Sequence, residues 1–540
     1  MPLGEWGGRT HSVVLAWIAR LRPYIAPRSR PYAVCMNTSP LVIERARLWG
    51  AASPRATELV DVRVSDGRIA SVSPTASGRA PSDAGAERID LDGRWLMPGL
   101  VDRHVHFTLW SKHRNRLSIA GTASADEAVR VVSDALAGMG RDGATMSRPL
   151  VARGFQDALW PDVPTAQALD DAAARTGQRG RSIVLISHDL HCVWINSAAA
   201  ARYGARPGLL REQAAFDLEI ALEAEEALDA GAVEALVADA VAAAASRGVT
   251  GIMDLEMADN TATWAARVAE GVTQLRIEAG VYPQHLEETL ARGDRTGKRV
   301  EGTGGLVTVG PLKIFADGAL NTRTAWCFDP YPETRDFGHS AHPRGDLARV
   351  VADARDHGFE VALHAIGDRA VSDALDAFEQ TGARGSIEHA QLVRDEDLAR
   401  FAALGIAAGI HPEHALDDRD VTDVLWAGRT ARAFPYAALA AAGVPLRLGS
   451  DAPVAPLDPW LGISAAVHRT RDNQSPWEPG NALTIDQALR ATWAFPAVHD
   501  GLPADLVALD FDPSALTHSA LRLMPVALTM TAGAVTYIGM

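Results

Sequence analysis

Two histidines one residue apart, His104 and His106, are the first residues of the chain whose types and spacing could bind a metal ion. They end an apolar run that begins at Trp95. Residues i and i+2 of a strand project from the same face, so both imidazoles can point to a single ion. The pair alone is a weak signal, because a strand end with two half-exposed histidines has the same pattern. A metal site is therefore predicted only if further ligands follow on comparable elements.

Further residues of this chemical type follow at the ends of other apolar segments. They are Lys313, His364, His389 and Asp451. Each is also open to a simpler interpretation as the polar end of a strand. Their recurrence on successive strand ends favours one shared site, because the carboxyl ends of parallel barrel strands meet on one face.

Lys313 is the most informative of these residues. A protonated ammonium buried among histidines and a metal ion would be strongly disfavoured. A neutral amine can instead react with carbon dioxide to form a carbamate, an anionic oxygen ligand that can bridge two divalent ions. The alternative interpretation is a lysine whose stem packs inside while its amine reaches solvent.

The elements that must position these residues are short apolar strands alternating with helix-like segments. Repeated β/α units predict a parallel sheet, and about eight of them predict a (β/α)8 barrel of the α/β class. Residues from about 115 to 245 exceed one such unit and predict a helix-rich insertion. The barrel with its insertion is assigned to residues 98–497.

The two ends of the chain have a different pattern. Alternating apolar residues flank Asp66-Gly67, Asp92-Gly93 and Ala532-Gly533, which is typical of β-hairpins. Neither end has enough apolar residues for its own core, so residues 40–97 and 498–540 are predicted to pair into one composite β-sandwich.

The composition limits the classes of partner. The chain has 540 residues, of which 47% are hydrophobic and 22% are charged, as expected of a soluble globular protein. The net charge of -15 argues against nucleic acid or an anionic membrane as the main partner. Three widely spaced cysteines give no disulfide framework and suit a reducing compartment, so a cytoplasmic location is expected.

Residues 1–39 are predicted to be a poorly ordered N-terminal extension. A signal peptide is less favoured, because Arg20 and Arg22 follow the apolar run at 13–19 instead of preceding it. Met36 is an alternative start of the chain.

Several segments together carry a resemblance to a known family. They lie at residues 191–197, 312–319, 322–325, 363–370, 387–391 and 448–453. On these segments the chain resembles the amidohydrolase superfamily, in the binuclear-metal branch that includes N-substituted formamide deformylases. The family has a distorted (β/α)8 TIM barrel with a small β-sandwich built from both chain ends. Its ligand order is His-x-His on strand one, carboxylated Lys on strand four, His on strands five and six, and Asp on strand eight, which matches the six residues above.

The resemblance implies a metal-dependent hydrolase that acts on a non-peptide carbon–nitrogen bond, such as an N-formyl group or another small amide. It implies two divalent ions, with zinc expected, and a carbamate on Lys313. His104, His106 and Asp451 would hold the more buried ion, and His364 and His389 the other. A metal-bound hydroxide would attack the substrate while Asp451 acts as the base. The partner implied is a small-molecule amide, and a homo-oligomer is possible.

Other residues near these segments are weaker candidates. His191 is a candidate oxyanion donor or substrate clamp, or else has a local structural role. Trp194 is a candidate for the pocket wall or for the core. Asp317 and Arg323 are expected either to contact substrate or to form salt bridges. His411 is a candidate for substrate contact, at a position where this branch commonly has Gln.

Two other functions remain open. One is a deaminase, or a hydrolase of esters, lactones or phosphoesters, on the same scaffold. Purine-type deaminases generally use one metal without the strand-four lysine, so Lys313 counts against them. The other is a catalytically silent binding protein, whose usual signature is a lost ligand, and none of the six is lost here.

Overall fold

The computed structural model describes residues 40–50, 58–75, 85–114, 116–140, 147–226, 230–343, 345–471 and 474–540. The predicted extension over residues 1–39 lies outside these ranges. In the described ranges, no helix is both long enough and apolar enough to cross a membrane.

The strands and helices are numbered here in chain order. The strands are β1 Leu41–Leu48, β2 Val60–Ser65, β3 Arg68–Pro74, β4 Glu87–Asp90, β5 Trp95–Pro98, β6 Leu100–Val105, β7 Leu117–Ser118, β8 Leu150–Phe155, β9 Ile183–Ser187, β10 Cys192–Ile195, β11 Gly208–Arg211, β12 Val249–Asp254, β13 Arg276–Val281, β14 Val307–Phe315, β15 Val361–Ala365, β16 Gly385–His389, β17 Ala407–Ile410, β18 Leu446–Leu448, β19 Leu506–Leu509, β20 Val526–Thr531 and β21 Ala534–Ile538. The helices are α1 Phe107–His113, α2 Ala125–Gly138, α3 Ala166–Arg175, α4 Ser197–Tyr203, α5 Gln213–Glu226, α6 Ala230–Ser246, α7 Asn260–Ala269, α8 Leu286–Ala291, α9 Asp346–Asp356, α10 Asp368–Thr381, α11 Asp395–Leu404, α12 Pro412–Asp417, α13 Arg419–Leu425, α14 Tyr436–Ala441, α15 Pro459–His468, α16 Ile485–Thr492 and α17 His518–Arg522.

Both chain ends contribute strands to one sheet, in the order β21-β20-β19-β5-β1-β2-β3, with β4 also paired to β1. Apolar side chains from the two ends share one core, which includes Ile43 and Val62 from one end and Leu506 and Leu528 from the other. The predicted β2–β3 and β20–β21 hairpins are confirmed as antiparallel pairs. Each end therefore supplies the apolar surface that the other lacks.

The hairpin predicted at Asp92-Gly93 is wrong. Strands β4 and β5 do not pair with each other but both run parallel to β1, with Leu41 opposite Glu87 and Arg47 opposite Trp95. β1 has a register shift between Ile43 and Ala46, so it is divided into two halves, each with its own parallel neighbour. The turn thus carries the chain along β1 instead of reversing it.

Eight parallel strands form the barrel, in the order β6-β12-β13-β14-β15-β16-β17-β18. Their register places Phe315 opposite His364, and Ala365 opposite His389, so the carboxyl ends lie close to one level. The barrel closes just beyond β18, where the backbone N–H of Asp451 donates to the carbonyl of His104 at 2.8 Å. The closing seam therefore lies at two of the predicted metal ligands.

The insertion between β6 and β12 contains helices α2 to α6, and also a five-stranded mixed sheet in the order β11-β10-β9-β8-β7. The sequence analysis predicted the helices but not this sheet. Its strands β9 and β10 are buried at every position, so they lack the alternation that distinguishes a strand from a buried helix. The turn from β9 to β10 brings residues 188–191 to the carboxyl end of the barrel.

Candidate metal centre and active site

All six predicted ligands lie at the carboxyl ends of barrel strands, and most of them converge. The Asp451 Oδ1 atom is 3.5 Å from Nε2 of both His104 and His106. The Lys313 Nζ atom is 3.2 Å from the His104 Nε2 atom. The His389 Nδ1 atom is 3.9 Å from Asp451 Oδ2. These five side chains form the centre of the cluster.

His364 lies at the edge of this cluster. Its ring centroid is 4.4 Å from that of His389, and its Nε2–H donates to the carbonyl of Gly318 at 3.2 Å. His364 is therefore the most peripheral of the six ligands.

Two of the cluster residues have left-handed backbone conformations. The φ angles are 73° at His389 and 56° at Asp451. Such angles are uncommon outside glycine and are found where surrounding structure enforces them, often at functional sites. Adjacent strand residues normally point to opposite faces, yet Glu388 and His389 both face the cluster. The left-handed φ of His389 accounts for this departure.

Glu388 fixes the orientation of His104. The His104 Nδ1–H donates to Glu388 Oε2 at 2.7 Å, which leaves Nε2 with its lone pair directed at the cluster. Burial alone would raise the pKa of Glu388, but the hydrogen bond from His104 outweighs it and lowers the pKa to about 2. A carboxylate behind a histidine in this way is a common means of orienting a metal ligand.

Burial sets the protonation of the cluster. It lowers the pKa of His104, His364 and His389, and the neutral imidazole is the form that binds metal. Burial also lowers the pKa of Lys313 to about 8. Burial opposes ionisation of Asp451, but the surrounding imidazoles outweigh this effect and hold its pKa well below the usual value. The donor set is therefore several neutral nitrogens with one carboxylate.

Unpaired buried atoms show that this donor set fits a divalent cation. The atoms His389 Nδ1, His411 Nε2 and His414 Nε2 are buried without a hydrogen-bond partner, whereas buried polar atoms are nearly always paired. Three groups of donor atoms each lie within 4.8 Å of one another. They are His104 with His389 and His411, His104 with His106 and Asp451, and His389 with His414 and Asp451. Imidazole and carboxylate donors at such spacing suit zinc or a similar ion.

A cavity opens beside the cluster, with a volume of about 40 Å³. Barrel-end residues form its floor, among them His389 and Asp451, and the insertion covers it with Asp189 and His191. The insertion therefore completes the wall of the candidate active site.

His191 reaches this cavity as a cation. Its Nδ1–H donates to Glu212 Oε2 at 2.8 Å. Burial opposes the charge, but Glu212 outweighs it and raises the pKa of His191 to about 9. Thr324 Oγ1 donates to the other Glu212 oxygen at 2.6 Å, which holds the carboxylate in place.

Asp317 and Arg323 have different placements. The Asp317 carboxylate accepts backbone N–H bonds from Ile366, Gly367 and Trp326 at 2.9–3.0 Å, so it organises the loop that follows β15. Arg323 is exposed and does not line the cavity. Neither is placed for substrate contact in the described structure.

Two weaker candidates lie away from the cavity, and Trp194 has the core position that was one of its two expected placements. Trp194 is fully buried in the insertion, where its Nε1–H donates to the carbonyl of Thr165 at 3.0 Å and its ring packs near Phe155 and Trp160. It cannot touch a substrate in the cavity. His411 does not line the cavity either, but lies behind it against the ligand cluster.

Several cavity residues were not among the candidates found in the sequence. His188 donates through Nε2 to Asp417 at 2.9 Å, and Asn321 and Gln391 each present a buried unpaired polar atom. Asn321 and Gln391 lie next to or within the segments that carry the family resemblance, which was a usable signal. Glu212 and His188 have no comparable local signal, because the insertion sheet brings them to the site.

Gly449→Ala is expected to disturb both the fold and the centre. A Cβ atom there would lie 2.7 Å from the His104 backbone nitrogen and 2.8 Å from the His104 Cβ, at the closing seam of the barrel. We expect a loss of about 1–3 kcal/mol in the free energy of unfolding, measured by denaturant titration, together with weaker metal binding. Gly138→Ala is the control, because a Cβ at that helical position meets nothing within 4 Å. Equal stability of the two variants would contradict the close approach at the seam.

Comparison with known proteins gives the family. The model of the Amidohydrolase family matches residues 87–537. The Bacillus subtilis (strain 168) protein YtcJ is 27% identical over 498 residues, covering 84% of this chain and 90% of that protein. The N-substituted formamide deformylase of Arthrobacter pascens is 26% identical over 527 residues, covering 88% and 94%. A solved structure, an uncharacterized metal-dependent hydrolase from Pyrococcus horikoshii OT3, shares the fold with a TM-score of 0.70 and 24% identity, over 89% of this chain and 99% of that one. This chain belongs to the amidohydrolase family.

Proposed function

We propose that this protein hydrolyses a non-peptide carbon–nitrogen bond in a small amide, with an N-formyl amine as the preferred class, and uses two divalent ions, zinc in the first instance. The observation that carries the proposal is the convergence of Lys313 and Asp451 on the His104 Nε2 atom, at 3.2 and 3.5 Å. Burying a protonated lysine amine beside neutral imidazoles costs desolvation free energy. As a carbamate, the same side chain would be an anionic metal ligand.

The chain's own residues would hold the two ions. His104, His106 and Asp451 would bind the first ion, and His364 and His389 the second, with a carbamate on Lys313 between them. When bound, the ions would supply an activated water and a Lewis acid for the scissile carbonyl.

Lys313 has the properties that a carbamate requires. Its pKa of about 8 leaves about a tenth of the amine neutral at pH 7, the form that reacts with carbon dioxide. The charges of Glu388 and Asp451 favour the protonated amine, but burial outweighs them. The chain has only three lysines, Lys112, Lys298 and Lys313, among a large excess of arginines. Arginine stays protonated and cannot take this role, so a lysine in this strand is chemically informative.

Asp451 is the proposed base and acid. Its carboxylate is ionised and lies at the floor of the cavity. It would take a proton from the attacking water and return a proton to the leaving nitrogen. The His414 Nε2 atom, 3.8 Å from Asp451 Oδ2, flanks that carboxylate from the cavity side.

The cavity wall offers complementary groups for an amide. His191, held as a cation by Glu212, would stabilise the negative charge that develops on the carbonyl oxygen. Asn321 has its Oδ1 occupied by the N–H of Ala158 at 3.3 Å, so its unpaired Nδ2 is a second donor. The unpaired Gln391 Oε1 is an acceptor for a substrate N–H. An ester lacks that N–H, and the relative from Arthrobacter pascens named an N-substituted formamide deformylase agrees with the amide class.

A matched substrate panel tests this proposal. Purified protein loaded with Zn²⁺ would be given pairs of N-alkylformamide and alkyl formate with the same alkyl group, together with small amides, hydantoins, lactones and aminoheterocycles. We expect turnover of at least one formamide or small amide, measured as release of the amine. Hydrolysis confined to esters or lactones would refute the carbon–nitrogen assignment, and ammonia release from aminoheterocycles alone would make the protein a deaminase.

A further inference from the structure

We propose that His411 is a further metal ligand, which together with His104 and His389 forms a three-imidazole site within the centre. This inference rests on the metal centre of the proposed function, in which His104 and His389 hold different ions. His411 lies beside both residues, and the three imidazoles form the site that a single remaining ion would occupy. It also gives the centre a way to retain one ion that does not depend on Lys313.

The position of His411 brings it to the ligand cluster. It directly follows β17 and is 2% exposed. Its ring centroid is 4.8 Å from that of His104 and 4.6 Å from that of His389. One nitrogen from each of these three residues lies within 4.8 Å of the other two. Three imidazoles at this spacing, with an open fourth position, are a known arrangement for zinc.

Hydrogen bonds at Nδ1 leave Nε2 as the nitrogen with the lone pair in both His411 and His104. The His411 Nδ1–H donates to the carbonyl of Gly449 at 3.0 Å, which leaves Nε2 as the nitrogen with the lone pair. That Nε2 atom is buried and has no hydrogen-bond partner. In the same way, the His104 Nδ1–H donates to Glu388, so its Nε2 carries the lone pair and faces the Lys313 amine at 3.2 Å. Orientation of one ring nitrogen through a bond to the other is how metal-binding histidines are usually held.

The two simpler roles for His411 do not fit its surroundings. A core histidine normally has both ring nitrogens satisfied, whereas the buried Nε2 atom of His411 is unpaired. A substrate-contacting histidine would face the cavity, whereas the cavity is lined by His414 and Gln391 but not by His411. Metal binding is the role that uses the unpaired nitrogen where it lies.

The proposal has a consequence that separates it from the bridging lysine. The ligands of the three-imidazole site are neutral side chains, so that site needs no carbamate. The Lys313→Ala variant should therefore still bind one ion. Adding His411→Gln to that variant should weaken the binding of this ion by at least about 100-fold. Even the loss of a residue that only hydrogen-bonds to a metal ligand lowers metal affinity by about 10–100-fold. Glutamine is chosen because its amide N–H can keep the bond to the Gly449 carbonyl.

The experiment measures Co²⁺ binding by equilibrium dialysis and by visible absorption of the bound ion, on full-length protein freed of metal by chelation. The variants are wild type, His411→Gln, Lys313→Ala and the double variant. His357→Gln is the control, because His357 is exposed and bonds through Nδ1 to the carbonyl of Asp353. We expect His411→Gln to alter the absorption spectrum of bound Co²⁺, and Lys313→Ala to bind one Co²⁺ ion per chain. The double variant should bind that ion more weakly, and the control should bind Co²⁺ as the wild type does.

The contrary outcomes are distinct. Wild-type protein that binds no Co²⁺ would overturn the proposed function and this inference with it. Wild-type protein that binds Co²⁺ with a spectrum and affinity unchanged by His411→Gln would overturn the inference alone. If His411→Gln does not fold, X-ray absorption of the Zn²⁺-loaded Lys313→Ala variant decides the matter, since three imidazoles per ion support the proposal and two overturn it.

Discussion

Replacement of Asp451 by asparagine is expected to lower kcat by about 10²–10⁴-fold while the chain remains folded. Asp451 Oδ1 lies 3.5 Å from Nε2 of both His104 and His106, and its Oδ2 lies 3.9 Å from His389 Nδ1. Asparagine keeps the shape of the side chain but cannot carry a proton between water and the leaving nitrogen. It is also a weaker metal ligand than a carboxylate.

The measurement for Asp451→Asn is steady-state hydrolysis of the best formamide from the panel, with metal content determined on the same sample. Asp420→Asn is the matched control, because that carboxylate is exposed on helix α13. A fall in kcat with metal retained would identify the proton-transfer role, and a parallel fall in both would identify the ligand role. Activity equal to that of the control would exclude Asp451 from the mechanism.

Removal of the Lys313 amine is expected to have the second large effect. In Lys313→Ala we expect the metal content to fall by one ion per chain and kcat/KM to fall by about 10³-fold or more, since a metal ion supplies several kcal/mol of transition-state stabilisation. The amine is buried and contacts His104 Nε2 at 3.2 Å, so its loss opens space at the centre of the cluster. A small carboxylate such as acetate or propionate should enter that space and restore part of the activity.

The control for this prediction is Lys298→Ala. Lys298 is partly exposed and bonds to the carbonyls of Arg292 and Gly293 and to the side chain of Asp294. Its loss should leave metal content and kcat/KM at the wild-type level. Full activity and unchanged metal content in Lys313→Ala would show that this lysine does not bridge metal ions.

Much of the fold and the ligand set was predictable because strand ends are readable in the sequence. The segments that end in His364 and His389 are short apolar runs, and the barrel aligns such ends on one face. Family membership and fold class are confirmed by the family match and the shared fold. The roles of the individual site residues stay predictions.

The same rule applied to β17 would have placed His411 in the cluster, since it follows that strand directly. In the sequence, His411 was considered only for substrate contact, and the rule for strand ends was not applied to it. The Asp92-Gly93 turn shows a different limit. Turn residues specify a local reversal of the chain, but which strands then pair is decided by the register shift in β1.

The insertion was the least predictable part. Its buried strands resemble buried helices in the sequence, and its contributions to the site, His191 and Glu212, are separated by a strand pair. Their encounter depends on the β10–β11 pairing, in which Cys192 lies opposite Arg211. No local pattern encodes that contact.

The central claim is that hydrolysis depends on two divalent ions held at this barrel end. The most direct test is to remove metal by chelation, add Zn²⁺ in bicarbonate buffer, and measure formamide hydrolysis at each metal-to-protein ratio. We expect the metal-free chain to have no activity and the rate to rise until two ions are bound per chain. A metal-free chain that hydrolyses the substrate at the rate of the loaded protein would contradict the central claim.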